Sequence, residues 1–182
     1  MYVRSGSLND PEEFHGLAHF CEHMLFLGTK NRPEDEYTKY LTSNGGSRNA
    51  ATSEDSTFFY FDVKNQALEG ALERFSEFFK CPTFSQDGTD REIKAIDSEF
   101  KKNVSSELRR IHQIEKSHLT DKASVLRRFQ AGNFESLNQE TEEDKKKLRE
   151  ALIQYHDKHY SSNIMSLVVI GAYEIVELEK MV

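Results

Sequence analysis

The sequence predicts an α+β fold, a mixed β-sheet covered by helices. Three observations carry this prediction. Apolar residues recur at the 3.6-residue period over several long segments. Two short strand-like runs, one of them rich in aromatics, flank a turn signal as a hairpin requires. The elements follow the order strand, helices, hairpin, helices, strand, helix, with no internal repeat. The 182 residues suit one domain with a core of its own. Thirteen Phe and seven Tyr argue against disorder.

Residues 2–8 read as a short extended segment ended by Asn9-Asp10-Pro11. A helix follows from about Glu13 to Leu27 and stops at Gly28. A second starts after Pro33, with Glu34, Asp35 and Glu36 in its first turn, where acids suit the helix dipole. It ends at Gly45-Gly46, and the strands Ser47–Thr52 and Thr57–Val63 follow. The apolar positions Ala67, Leu68, Ala71, Leu72, Phe75, Phe78 and Phe79 predict a helix over 66–80, ended by Pro82. A long helical pattern runs from Asp90 to Leu119 along Ile93, Ile96, Phe100, Val104, Leu108, Ile111 and Ile114. Residues 120–142 read as irregular, with a turn at Gly132-Asn133. A charged helix over Glu143–His159, a strand over Ile164–Ile170 and a helix starting near Glu174 complete the chain.

Composition excludes some partners. Lys and Arg number 24 against 31 Asp and Glu, a net charge of −7. Bulk electrostatics therefore disfavour nucleic acid and anionic membrane. The polar start lacks the apolar stretch of a signal peptide. The longest aliphatic run, Leu167 to Ile170, is too short to span a bilayer. Two cysteines, Cys21 and Cys81, make no disulfide framework, so the expected compartment is reduced and intracellular, in the first place the cytoplasm.

The sharpest chemical signal is His19-Phe20-Cys21-Glu22-His23. On a helical wheel Phe14, Leu17, Ala18, Phe20, Cys21, Met24 and Leu25 fill more than half the circle. His15, His19, Glu22 and His23 gather on the remaining stripe. So apolar a helix should be largely buried, and a buried Glu beside two His needs a partner. A metal ion supplies one. His19 and His23 stand one turn apart on one face, and two imidazoles so placed can share one Zn²⁺. Glu22 then sits beside the metal as a general base for an attacking water. Such a spacing is the inverted zincin motif H-x-x-E-H. Cys21 is offset from His19 by two positions and reads as a small buried residue. His112, His118, His156 and His159 have no paired pattern and read as ordinary helix residues.

Zinc also needs a third protein ligand. Glu92 and Glu99 lie seven residues apart on the flank of the long apolar stripe, beside Ile96. Either could complete a His₂Glu site that leaves a fourth position for water. The other could orient a ligating His through a hydrogen bond. The spacing does not choose between them.

Several separate stretches resemble one family. They are Gly16-Leu-Ala-His-Phe-Cys-Glu-His-Met-Leu-Phe-Leu-Gly-Thr29, Ser47-Arg-Asn-Ala50, Tyr60-Phe-Asp-Val63, Leu68-Glu-Gly-Ala-Leu-Glu-Arg-Phe75 and Asp90-Arg-Glu with Asp97-Ser-Glu99. Together they resemble the catalytic domain of the insulysin branch of the M16 inverzincin metallopeptidases. A weaker likeness continues through Tyr160-Ser-Ser-Asn163. The resemblance implies zinc ligation by His19, His23 and Glu99, with Glu22 as catalytic base and Glu92 in support. It also implies that Asn49 and Ala50 lie on an edge strand that pairs with a peptide substrate. Ala51 departs from the pattern, being small where the family leads one to expect a bulkier residue, so a pocket it lines would be altered. The expected activity is zinc-dependent endoproteolysis of peptides and small unfolded polypeptides. The alternative is a non-catalytic fragment or regulatory module that binds zinc and peptide and pairs with a full-length relative. On either reading the resemblance implies a single, incomplete N-terminal domain over residues 1–182, lacking its first strands and C-terminal part. The missing half or a full-length homologue is then an expected partner.

Overall fold

The structure is a computed structural model and describes residues 1–122, 124–137 and 140–182. Among these residues four strands form one antiparallel sheet in the order β2-β3-β1-β4. They are β1 (Tyr2–Val3), β2 (Ser47–Thr52), β3 (Thr57–Asp62) and β4 (Met165–Ser166). The helices are α1 (Leu17–Met24), α2 (Glu36–Ser43), α3 (Leu68–Lys80), α4 (Gln86–Val104), α5 (Glu107–Leu119), α6 (Glu142–His159) and α7 (Ile175–Met181). The α+β class is as expected.

The hairpin β2–β3 pairs Ser47 with Asp62 through to Thr52 with Thr57. Strand parity sorts its side chains. Thr57 and Phe59 turn into the core, while Phe58 and Tyr60 remain exposed. The sheet thus has one covered face and one open face. Phe59 is fully buried among Phe26, Phe79 and Tyr160, with ring centroids 5.6–6.3 Å away. The periodic face of α3 supplies Leu68, Ala71, Leu72, Phe75 and Phe78 to the core. From α6 come Leu148, Leu152 and Tyr155, and its first turn is closed by a capping box between Thr141 and Asp144. Among the described residues no helix is long and apolar enough to cross a membrane.

Four elements differ from the sequence expectation. The first strand covers Tyr2–Val3 rather than 2–8. Beyond it the chain docks on the β2–β3 turn, where Ser7 N donates to Ser53 O at 3.0 Å and Leu8 N to Glu54 O at 2.8 Å. The first helix starts at Leu17, because Gly16 takes a left-handed φ of +96° that breaks the helical path. His15 consequently lies outside that helix. The pattern over 90–119 divides into α4 and α5 at Ser105-Ser106, where Ser106 is extended. α4 also begins earlier than Asp90, with the Ser85 hydroxyl accepting from Gly88 N at 3.1 Å. Ile93 and Ile96 of α4 are buried, whereas Leu108, Ile111 and Ile114 of α5 are exposed. Finally, the strand expected over 164–170 has ladder partners only at Met165 and Ser166, matching the two positions that β1 offers.

Replacing Phe59 by Ala should lower stability by about 3–5 kcal/mol, the usual cost of emptying a buried aromatic site. Urea denaturation of both proteins measures this. A loss under about 1 kcal/mol, the scale of an ordinary substitution, would contradict the central position of this ring.

Candidate metal centre

Helix α1 packs against α4, α6 and β2. Its apolar face buries Leu17, Ala18, Phe20, Cys21 and Met24. Burial pushes the Cys21 thiol well above its ordinary range, so this cysteine is a neutral core residue. The opposite stripe turns His19 and His23 toward an open cleft of about 980 Å³. Their rings meet edge to face, with centroids 4.6 Å apart and Nε2 atoms at 3.1 Å.

The other ring nitrogens fix the tautomers. His19 Nδ1 lies 2.6 Å from the Ala131 carbonyl oxygen. His23 Nδ1 lies 2.7 Å from Glu92 Oε1. A carbonyl and a carboxylate only accept, so both Nδ1 atoms donate. With both rings neutral, the two Nε2 lone pairs face each other. Glu99 Oε2 from α4 stands 3.8 Å from each of them. Three electron-pair donors thus converge, all within 4.8 Å of one another. Such a group favours positive charge among its donors, whether a proton or a metal ion. Burial works against the charged form of His23, yet the hydrogen bond and charge of Glu92, with Glu22 and Glu99, raise its pKa. The pocket attracts positive charge, and its donor set of two neutral imidazoles and a carboxylate fits Zn²⁺.

Glu22 stands beside this cluster and is only 6% exposed. Burial raises its pKa, opposed by a hydrogen bond from Thr52 and by the two imidazoles. Thr52 Oγ1 donates to Glu22 Oε2 at 2.5 Å, leaving Oε1 for another partner. Thr52 belongs to β2, which pairs only with β3 among the described strands and so forms a sheet edge. Asn49, Ala50, Ala51 and Thr52 all line the cleft. Asn49 Nδ2 reaches Tyr60 OH at 3.1 Å on the open face of the sheet. The cleft continues along Phe100, Asn103 and Val104 of α4 and Arg109 and His112 of α5.

The structure therefore gathers His19, Glu22, His23, Glu92, Glu99, Asn49 and Ala50 into one region. It separates the two acids that spacing leaves equivalent. Glu99 faces both Nε2 atoms, and Glu92 holds Nδ1 of His23. His15 lies in a turn before α1 and lines neither the cleft nor the three-donor cluster. Two participants escape the sequence reading. Thr52 shares strand parity with Ala50, which is a usable signal. Ala131 acts through its backbone, and nothing in its side chain reports that.

Known proteins can now be set beside this geometry. The profile of the insulinase family, peptidase family M16, matches residues 1–122. The chain belongs to this family of metallopeptidases. The A-factor-processing enzyme of Saccharomyces cerevisiae is 44% identical over 174 residues, covering 95% of this chain and 17% of that protein. The insulin-degrading enzyme of Homo sapiens is 44% identical over 181 residues, covering 99% and 18%. The crystal structure of pitrilysin superposes with a TM-score of 0.92 at 34% identity, covering 99% of this chain and 19% of that one. The chain spans less than one fifth of the length of each of these relatives.

The start of α1 is held by Asp10, which is 3% exposed. Its carboxyl accepts Gly16 N at 2.7 Å and Ala18 N at 2.8 Å. Burial pushes this carboxyl up to about 7, against the hydrogen bonds from Ala18 and Gly16 and the charge of Arg128. The folded state therefore holds the proton more tightly than the unfolded chain does, whose carboxyl titrates near ~3.9. The stabilisation is complete below that unfolded value and is lost as pH rises through about 7. Between about pH 5 and about pH 8 the protein should lose stability that Asp10→Asn does not lose. Denaturant titrations at both pH values test this, and an equal loss in the two proteins would refute it.

Proposed function

We propose that the chain is the zinc-binding catalytic domain of a metalloendopeptidase that hydrolyses peptides and small unfolded polypeptides. One observation carries this reading. His19, His23 and Glu99 converge as lone-pair donors while a buried carboxylate, Glu22, and an open sheet edge stand at the same cleft. In this reading His19, His23 and Glu99 hold the metal, and Glu92 orients His23. When bound, Zn²⁺ supplies Lewis-acid polarisation of the scissile carbonyl and acidifies a water. Glu22 Oε1, left free by the Thr52 hydrogen bond to Oε2, takes the proton from the attacking water. The raised proton affinity of a buried carboxylate suits it to carry that proton onward to the leaving amine. An extended peptide lies along β2 at Asn49 and Ala50 and forms main-chain hydrogen bonds, which accept many sequences.

A second reading stands beside it, because the same convergent donors can bind without catalysing. On it the chain binds zinc and peptide without turnover and pairs with a longer homologue. Two measurements separate the readings. Metal analysis of the purified chain should find about one zinc per chain, a single His₂Glu site. Its absence, with His19 and His23 intact, would remove the metal claim. A quenched fluorescent peptide should be cleaved by the wild type, while Glu22→Gln keeps the zinc and loses at least ~100-fold in rate. Zinc and peptide binding without cleavage by the wild type would favour the module, and undiminished turnover by Glu22→Gln would refute the role of Glu22.

A further inference from the structure

The irregular stretch 128–136 makes more contacts with the start of α1 than its sequence announces. Arg128 donates from its guanidinium to the Asp10 carbonyl oxygen at 2.7 Å. Ser136 Oγ donates to the His15 carbonyl oxygen at 2.8 Å. Between these anchors Gly132 lies against Gly16, so closely that a Cβ on Gly16 would stand 2.3 Å from Gly132 Cα. Both glycines have positive φ, +96° and +76°. The backbones can approach this closely because Gly16 has no Cβ, while Gly132 is required by its left-handed φ. Directly before this contact comes Ala131, whose carbonyl oxygen accepts His19 Nδ1.

The stretch is also tied to the rest of the site. Phe134 N donates to Asp97 Oδ1 of α4 at 3.2 Å. Lys116 of α5, 8% exposed, donates to the Arg128 carbonyl at 3.3 Å and pairs with Glu54 of the β2–β3 turn at 3.5 Å. One strap therefore joins α1, α4, α5 and the hairpin turn.

We propose that residues 128–136 are a positioning element that locks His19 as its Nδ1–H tautomer, with the Nε2 lone pair aimed at His23 and Glu99. A ring nitrogen that donates to a fixed carbonyl cannot also rotate its partner nitrogen out of the site. His23 receives the same service from a side chain, Glu92. His19 receives it from a backbone carbonyl, placed by the Arg128 anchor and the Gly16–Gly132 contact. Arg128 and Gly132 are thus positioning residues, with no contact of their own to the reacting atoms.

The significance of the lock rests on His19 being a metal ligand, but the lock itself is read without metal. Long-range ¹H–¹⁵N spectra of the metal-free full chain should place the His19 proton on Nδ1. A wild-type spectrum with that proton on Nε2 overturns the proposal, whatever any variant does. Arg128→Met removes the outer anchor, and Gly132→Ala strains the left-handed backbone (φ +76°) next to Ala131. In either variant, once folded, His19 should become a mixture of tautomers while His23 stays protonated on Nδ1. Cobalt binding followed by its visible spectrum should weaken by about 10–100-fold, the scale of losing such a supporting partner. Folded variants that keep a single His19 tautomer and wild-type cobalt affinity overturn the roles of Arg128 and Gly132. If the wild type binds no cobalt yet holds the Nδ1–H tautomer, the metal reading fails and the lock stands.

Discussion

Two imidazoles and a carboxylate converge with their donor atoms within 4.8 Å of one another, and the structure around them holds each in place. Each Nε2 lone pair of His19 and His23 would turn toward water if free to do so. Neither ring is free. One is hydrogen-bonded by the Ala131 carbonyl and the other by Glu92. The helix that carries them is anchored by its apolar face, where Leu17, Phe20, Cys21 and Met24 are all but inaccessible. Rotating α1 to relieve the lone pairs would expose that face, at roughly 1.5–3 kcal/mol for each large side chain. The hydrophobic core thus stabilises a polar cluster that water would otherwise disperse. Held in this way, the three donors are positioned to receive a cation.

Side-chain periodicity and backbone geometry differ in how plainly a sequence displays them. The wheel of α1 already separates an apolar arc from the His-Glu stripe, because burial and helical period leave a direct trace in residue type. The hairpin is equally plain in its alternation, including the inward turn of Phe59. The break at Ser105-Ser106 is not. The apolar stripe continues across it through Val104, Leu108 and Ile111, and only the exposure of those residues reveals that α5 leaves the core. The choice between Glu92 and Glu99 also lies beyond spacing. Both flank the same stripe, and only the packing of α4 on α1 decides which one meets Nε2 and which meets Nδ1. Ala131 is the extreme case, since a carbonyl oxygen belongs to every residue and marks none.

The cleft has two unlike walls. On one side β2 offers a regular row of backbone groups, indifferent to sequence. On the other, α4 and α5 present Phe100, Val104, Arg109 and His112, a mixed surface that varies along its length. The segment that matches the insulinase-family profile, residues 1–122, contains both walls. α5 packs on α4 and on the turn Val125–Arg127, and Lys116 ties it to Arg128 and Glu54, while Leu108, Ile111 and Ile114 remain exposed.

The hydrogen bond from Thr52 to Glu22 joins the sheet edge to the neighbouring helix through a single hydroxyl. Strand side chains alternate, so slipping β2 by one residue would replace Thr52 with an outward-facing neighbour and leave Glu22 unheld. Length changes in this hairpin are therefore not equivalent. Residues added within the β2–β3 turn leave the alternation of β2 intact, whereas an odd number inserted within the strand inverts it on one side of the insertion. For anyone grafting new loops onto this domain, parity at β2 is a design constraint as strict as the identity of the histidines.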